Sequence, residues 1–227
     1  SYITLLWEVD SSVCPLASDR ACVTVDAASD VNFQVHLVDA FRNELTRATS
    51  LPVTYSLGDD ASRIEVPSVS GRYSIVVRGA ALEVAGEYSI GVYLDGNALA
   101  AGPVRIDVVP GDADAGKTQL KRDDELCPSR KQCGSDVVAD ESILFTAVAR
   151  DAFGNERDAS SGVMELRVPD QAPTVLTDMG DGSYRGTLAL RRANVYTIDA
   201  VLNSEPLFLS LIHISEPTRQ EAIADAG

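Results

Sequence analysis

Histidine is nearly absent from this chain of 227 residues, which has only His36 and His213. The scarcity removes the usual general base and a common metal ligand. His36 is not expected to serve a Ser-His-Asp triad, and a histidine-based metal site there has no second histidine close in sequence to complete it. Basic side chains are scarce too: 19 Lys and Arg stand against 34 Asp and Glu, for a net charge of -15. A surface this acidic repels phosphate backbones, which argues against nucleic acid as a partner. No apolar run reaches the roughly 18 residues that span a bilayer, so this stretch carries no expected membrane contact. The chain is still 45% hydrophobic, enough for a real core and too much for wholesale disorder.

What is present is an internal repeat. "VNFQVHLVDAFRNE" (31–44) aligns with "ILFTAVARDAFGNE" (143–156), and "SGRYSIVV" (70–77) with "DGSYRGTL" (181–188). "AGEYSIGVYLDG" (85–96) aligns with "ANVYTIDAVLNS" (193–204), and "CPLASDRAC" (14–22) recurs as "CPSRKQC" (127–133). Shared landmarks in one order mean two copies of one module, each of about 100 residues, a usual size for an antiparallel β-sandwich.

The pattern inside each copy is β. Val31, Phe33, Val35 and Leu37 alternate with Asn32, Gln34 and His36, and the second copy repeats the parity with Ile143, Phe145, Ala147 and Ala149. Period two means one face in a core and one in water, and it places His36 on the wet face. Asp39 and Asp151 end these strands and are expected to cap the following turns by accepting backbone N–H bonds. Further strands are predicted at 52–57, 63–69, 72–78, 86–94 and 103–109, then at 163–168, 173–178, 183–190 and 194–202. Asp181-Gly182 predicts a turn that uses glycine at positive φ. No stretch sustains a helical period.

The segment "GDADAGKT" (111–118) matches the phosphate-cradling pattern G-x-x-x-x-G-K-[ST]. A working P-loop needs a helix after it, whose N-terminus faces the phosphates. "TQLKRDDELCP" offers only Leu120 and Leu126 as aliphatics, and Asp112 and Asp114 would confront a triphosphate with carboxylates. The segment is therefore read as the linker between the copies, with no nucleotide and no cofactor expected. Asp112, Asp114, Asp123 and Asp124 gather in sequence around that joint, where calcium binding through oxygen ligands is the alternative to simple solvation.

The cysteine spacings C-x7-C and C-x5-C do not fit zinc knuckles. Cys14 with Cys22 and Cys127 with Cys133 read as two local disulfides, which imply an oxidising compartment; four reduced, buried thiols are the alternative. The chain contains no N-x-[ST] glycosylation sequon.

The ordered set "DAFGNE", "DGSYRGTLALRRANVYTIDAVLNSEPL" and "YLDGNALAAGPVRIDVVPG" resembles filamin-type immunoglobulin-like repeats. One departure is "AAGPV" at 100–104, where that family has G-S-P-F. The resemblance implies an all-β chain of two tandem immunoglobulin-like Greek-key β-sandwiches, at 1–110 and 111–208. It implies no enzyme activity but protein partners, bound by strand addition or sandwich-face contacts, along with neighbouring repeats of the same chain. The implied strand-addition groove lies beside the third strand, at Pro52, Val53, Tyr55 and Leu57, and again at Val163, Glu165, Leu166 and Val168. The disulfides favour an extracellular or cell-surface protein. A cytoplasmic actin cross-linking scaffold and the accessory modules of a larger enzyme are the other readings.

"LSLIHISEPTR" (209–219) resembles the translation of a transposase-type sequencing adapter, so 209–227 is read as a non-native tail. Without its three acids and one arginine the net charge is -13, so the acidity belongs to the native part. The second module then lacks its own last strand, and the apolar "LSLIHI" is expected to pair in its place. The start at Ser1, with neither Met nor leader pattern, gives the expectation of a larger parent protein.

If both cysteine pairs are disulfides, unfolded and unreduced protein will resist alkylation at all four sulfurs and accept it after reduction. Mass spectrometry reads the difference, and four freely alkylated thiols would remove the oxidising-compartment reading.

Overall fold

The computed structural model describes residues 4–9, 22–39, 41, 43–44, 52–58, 64–66, 68–69, 72–99, 104–127, 133, 137–160 and 162–215. The chain divides into two compact units, Ser1–Gly111 and Asp112–Gly227. The first contains β1 (Thr4–Val9), β2 (Cys22–Asp26), β3 (Val31–Val38), β4 (Val53–Leu57), β5 (Ile64–Glu65), β6 (Ser68–Val69), β7 (Arg72–Val77), β8 (Gly86–Leu94), β9 (Asn97–Ala98) and β10 (Val104–Val109). The second contains β11 (Gln119–Arg122), β12 (Glu125–Leu126), β13 (Val137–Val138), β14 (Ser142–Val148), β15 (Met164–Arg167), β16 (Thr174–Val175), β17 (Thr177–Asp178), β18 (Ser183–Ala189), β19 (Asn194–Leu202) and β20 (Glu205–Ser215). Among the described residues the one helical turn is the 3-10 turn Gly79–Ala81.

Each unit has two sheets. In the first they run β1-β3-β7-β6 and β2-β10-β8-β4-β5, with β9 beside β8. In the second they run β12-β11-β14-β18-β17 and β13-β20-β19-β15-β16. Pairing is antiparallel except that β2 runs parallel to β10 and β13 parallel to β20. The alternation read from the sequence is the packing: Phe33, Ile75, Ile90 and Ile106 are fully buried in the first core, and Phe145, Leu166, Tyr184 and Ile198 in the second. Burial of such side chains stabilises by roughly 1.5–3 kcal/mol each before entropy is counted.

The predicted fourth strand, 63–69, is two strands. Residues 64–65 pair with β4 and residues 68–69 with β7, so the chain changes sheet at Val66. The second unit does the same at Leu176, between β16 and β17. Val66 and Leu176 are buried at these crossings, and their amides donate to the carbonyls of Val53 and Met164 at 2.8 and 2.9 Å. Gly186 makes room for the second: a Cβ there would lie 2.6 Å from the Leu176 side chain. Gly182, at φ 78°, takes the conformation that its place after Asp181 predicts.

The turn after β3 and β14 is closed by its aspartate in both units. Asp39 Oδ1 accepts the amides of Phe41 and Asn43 at 2.8 and 2.9 Å. Asp151 Oδ1 accepts those of Phe153 and Asn155 at 3.0 and 2.9 Å, and its Oδ2 accepts the Asn155 side chain at 2.8 Å. Hydrogen bonds from the Asn43 side chain and amide hold the Asp39 carboxyl below its ordinary range, with a smaller contribution from the Phe41 amide against desolvation. The turn leaves Phe41 85% exposed and Phe153 45% exposed at its tip.

His36 corrects a sequence expectation. It has the outward parity, yet it is only 3% exposed. The chain beyond the turn returns to bridge Val38 with Glu44, which brings the Glu44 carboxylate 3.2 Å from His36 Nδ1. Parity gives the face of the sheet, whereas a loop folding back over that face excludes the water.

The last strand of the second unit contains the segment suspected of being foreign. β20 pairs along β19 from Leu202↔Glu205 to Asn194↔Ile214, with an irregularity at Ala200/Val201, and its end runs parallel to β13. Ile212 and Ile214 are buried in the core.

Asp151 is 1% exposed, so replacing it with alanine strands three donors. Asp151→Ala should destabilise the second unit by about 2–4 kcal/mol. Urea unfolding would show a lower midpoint for that unit and an unchanged one for the first.

Candidate functional site

The phosphate-loop pattern takes a form set by Asp114. Its Oδ1 accepts the Gly116 amide at 2.7 Å and the Lys117 amide at 3.2 Å. Its carbonyl accepts the Thr118 amide and hydroxyl, each at 2.9 Å. The amides that would cradle a phosphate are thus bonded within the turn, beside a carboxylate that repels anions. The Asp114 amide donates to the Arg150 carbonyl at 2.7 Å, which ties the turn to the second unit. The next element along the chain is strand β11, not a helix.

Three of the four joint aspartates fall into two separate places. Asp114 lies beside Arg150, whereas Asp123 and Asp124 make the positive-φ turn between β11 and β12, where the Asp123 amide reaches the Leu144 carbonyl. Leu144 and Arg150 are six residues apart along one chain, or about 20 Å in extended conformation. Among the described residues no three His, Cys, Asp or Glu side chains gather to hold a metal ion.

Cys127 and Cys133 form a disulfide, with Cα atoms 4.6 Å apart, and both are buried in the second core. The bond closes the crossover where the chain leaves the β11–β12 hairpin for β13 in the other sheet. Arg122, itself buried, donates to the Cys133 carbonyl at 2.5 Å and braces the same crossover. Cys22 is disulfide-bonded at the start of β2 in the first unit. Its predicted partner, Cys14, lies outside the described residues.

The predicted strand-addition groove is partly filled by the chain itself. Thr54 and Tyr55 pair with Glu65 and Ile64, and Glu165 and Leu166 pair with Val175 and Thr174. Val53, Tyr55, Leu166 and Val168 point into the cores. Pro52 and Val163 are exposed, while Leu57 and Glu165 are half-buried. An incoming strand beside β4 or β15 must displace a two-residue pairing.

Sequence reasoning missed a corner that both units share. The Tyr88 hydroxyl donates to the Val84 carbonyl at 2.9 Å, and that of Tyr196 donates to the Arg192 carbonyl at 3.1 Å. A tyrosine near the start of a late strand, bonded back to the main chain a few residues upstream, is a feature of immunoglobulin sandwiches. The aligned "EYSI" and "VYTI" carried the signal.

No protein-family model and no curated protein matches the chain. Among solved structures it is similar to the Escherichia coli adhesin FdeC, with a TM-score of 0.52, 16% identity, and coverage of 93% of this chain and 64% of that one. It is also similar to invasin, a bacterial integrin-binding protein, with a TM-score of 0.54 and 17% identity, covering 94% of this chain and 40% of that one. Both units are immunoglobulin-like sandwiches. The chain spans 64% and 40% of the lengths of those two structures. A Lin-41 filamin domain matches 46% of this chain and 93% of its own at 17% identity, and its TM-score of 0.30 adds nothing in favour of the filamin type. No helix among the described residues is long and apolar enough to cross a membrane.

Lys117→Ala should leave ATP and GTP without measurable binding, as in the parent, and change stability by less than about 0.5 kcal/mol. Saturable nucleotide binding by calorimetry, lost in that variant, would contradict the assignment of 111–118 as an inter-unit turn.

Proposed function

We propose that the chain is a pair of non-catalytic spacer and protein-binding modules from a larger extracellular or cell-surface protein. The observation that carries this reading is two immunoglobulin-like sandwiches in series, joined by a short turn bonded into the second unit. The buried disulfide supports an oxidising compartment, because such bonds persist outside the reducing cytosol. FdeC is an adhesin and invasin binds integrin, and the likeness of fold is consistent with a surface role here.

Within this reading the modules are filamin-type, and a partner strand adds beside 52–57 or 163–168. It would displace β5 or β16, each of which holds only two paired residues. Main-chain bonds would supply affinity, with specificity from the half-buried Leu57 and Glu165 and the exposed Val163. The match of 209–219 to an adapter supports a foreign origin for 209–227, a segment whose alternating isoleucines suit the vacant strand.

The location can be tested on cells that make the parent protein, using a membrane-impermeant amine reagent. Lys117 is exposed and should be labelled before lysis, as read by mass spectrometry. Labelling only after lysis would assign the protein to the cytoplasm and discard the surface reading.

A further inference from the structure

The tyrosine corner presents different chemistry in the two units. Besides the tyrosine bond, each corner is held by an amide from the turn after the second strand: Ala28 to the Leu82 carbonyl and Asp140 to the Leu190 carbonyl, both at 2.9 Å. These shared bonds put Glu83 and Val84 of the first unit in correspondence with Arg191 and Arg192 of the second. The backbone is conserved between the copies, and the charge it displays is reversed.

In a chain of net charge -15, two adjacent unengaged cations stand out. Arg72, Arg78, Arg105, Arg122, Arg150 and Arg167 each have a carboxylate within 4.0 Å. Among the described residues the Arg191 and Arg192 guanidinium groups have neither an ion pair nor a hydrogen bond, and both residues are exposed. They line a groove of about 560 Å³ together with Asp170, Gln171, Asn194 and Tyr196. Two guanidiniums against one carboxylate leave the groove cationic on an otherwise acidic molecule, which concentrates an anion there.

We propose that this groove binds an acidic saccharide, with the sugar carboxylate on the Arg191–Arg192 pair. Guanidinium groups suit a carboxylate because two parallel N–H donors match its two oxygens. The side-chain amides of Gln171 and Asn194 both donate and accept, as ring hydroxyls require. Tyr196, half-buried in the wall, offers an apolar ring surface for a sugar face. An acidic peptide fits less well, since it brings neither ring hydroxyls for Gln171 and Asn194 nor a sugar face for Tyr196; the backbone at Ala189 and Asn194 is paired on one side, with Ser142 and Ile214. The volume lies within the range of small-ligand sites. The groove acts independently of any spacer role.

The test is an NMR titration of the intact 15N-labelled chain with three probes: a glucuronic-acid-containing disaccharide, neutral diacetylchitobiose and a triglutamate peptide. The expected result is saturable shifts at 170–171 and 189–196 with the acidic disaccharide alone, weakening as salt rises. Arg191→Ala/Arg192→Ala should weaken that binding at least tenfold while its spectrum stays dispersed, because both side chains are exposed. Should either replacement disturb the fold, Arg191→Gln alone gives the same reading with a smaller loss. No response to the acidic sugar, an equal response to the neutral one, tighter binding of triglutamate, or unchanged affinity in the variants would each overturn the proposal.

Discussion

A sheet that is apolar on one face only is stable when that face meets another like it, and each unit is organised around this requirement. Phe33, Val35 and Ile75 on one sheet need Ile90, Val92 and Ile106 on the other. Two sheets made from one chain require segments that cross between them. Two of these crossings are the one from β12 into β13 and the one at Val66 or Leu176. Each crossing breaks a hydrogen-bonded ladder, and each is where a special device sits: a disulfide with the buried Arg122, or an aliphatic plug with the cleared space at Gly186. The crossing on the way into β13 also places a strand parallel to the end of the last one.

The two copies preserve the parts that satisfy buried backbone and vary the parts that meet solvent. The aspartate turn, the tyrosine corner and the sheet change at Val66 and Leu176 recur with bond lengths that agree within a few tenths of an ångström. The outward residues diverge. Thr54 on β4 corresponds to Glu165 on β15, whose carboxylate pairs with Arg167 at 2.8 Å where the first unit has the buried Ser56. Tandem modules divide work in this way: an unpaired buried amide costs the same in either copy, whereas an exposed side chain is free to change. The cationic corner of the second unit belongs to this variable class.

β20 shows how permissive a sandwich edge is. The place beside β19 needs an extended segment with apolar residues at every second position, and Ile212 and Ile214 meet that need. Backbone hydrogen bonding is the same for any sequence, so register and alternation suffice for pairing. That permissiveness is why unpaired edges invite pairing with other chains, and why most edge strands here are short.

The sequence alone determined the repeat, the strands and the inward face of each. Alternation has a period of two and survives in any arrangement of strands, so Phe33 and Phe145 were legible as core from neighbours in the chain. The same holds for the aspartate turns, whose donors lie within four residues. Only the tertiary structure decided the rest. His36 is buried because a loop returns over it, and 63–69 divides because its halves serve different sheets. Four of the eight groove positions are core, since their side chains face the opposing sheet. The arginine pair gains its meaning from Gln171, which the fold brings from another loop. Local pattern reports which side of a strand is wet or dry, but what finally covers a surface comes from residues distant in the chain.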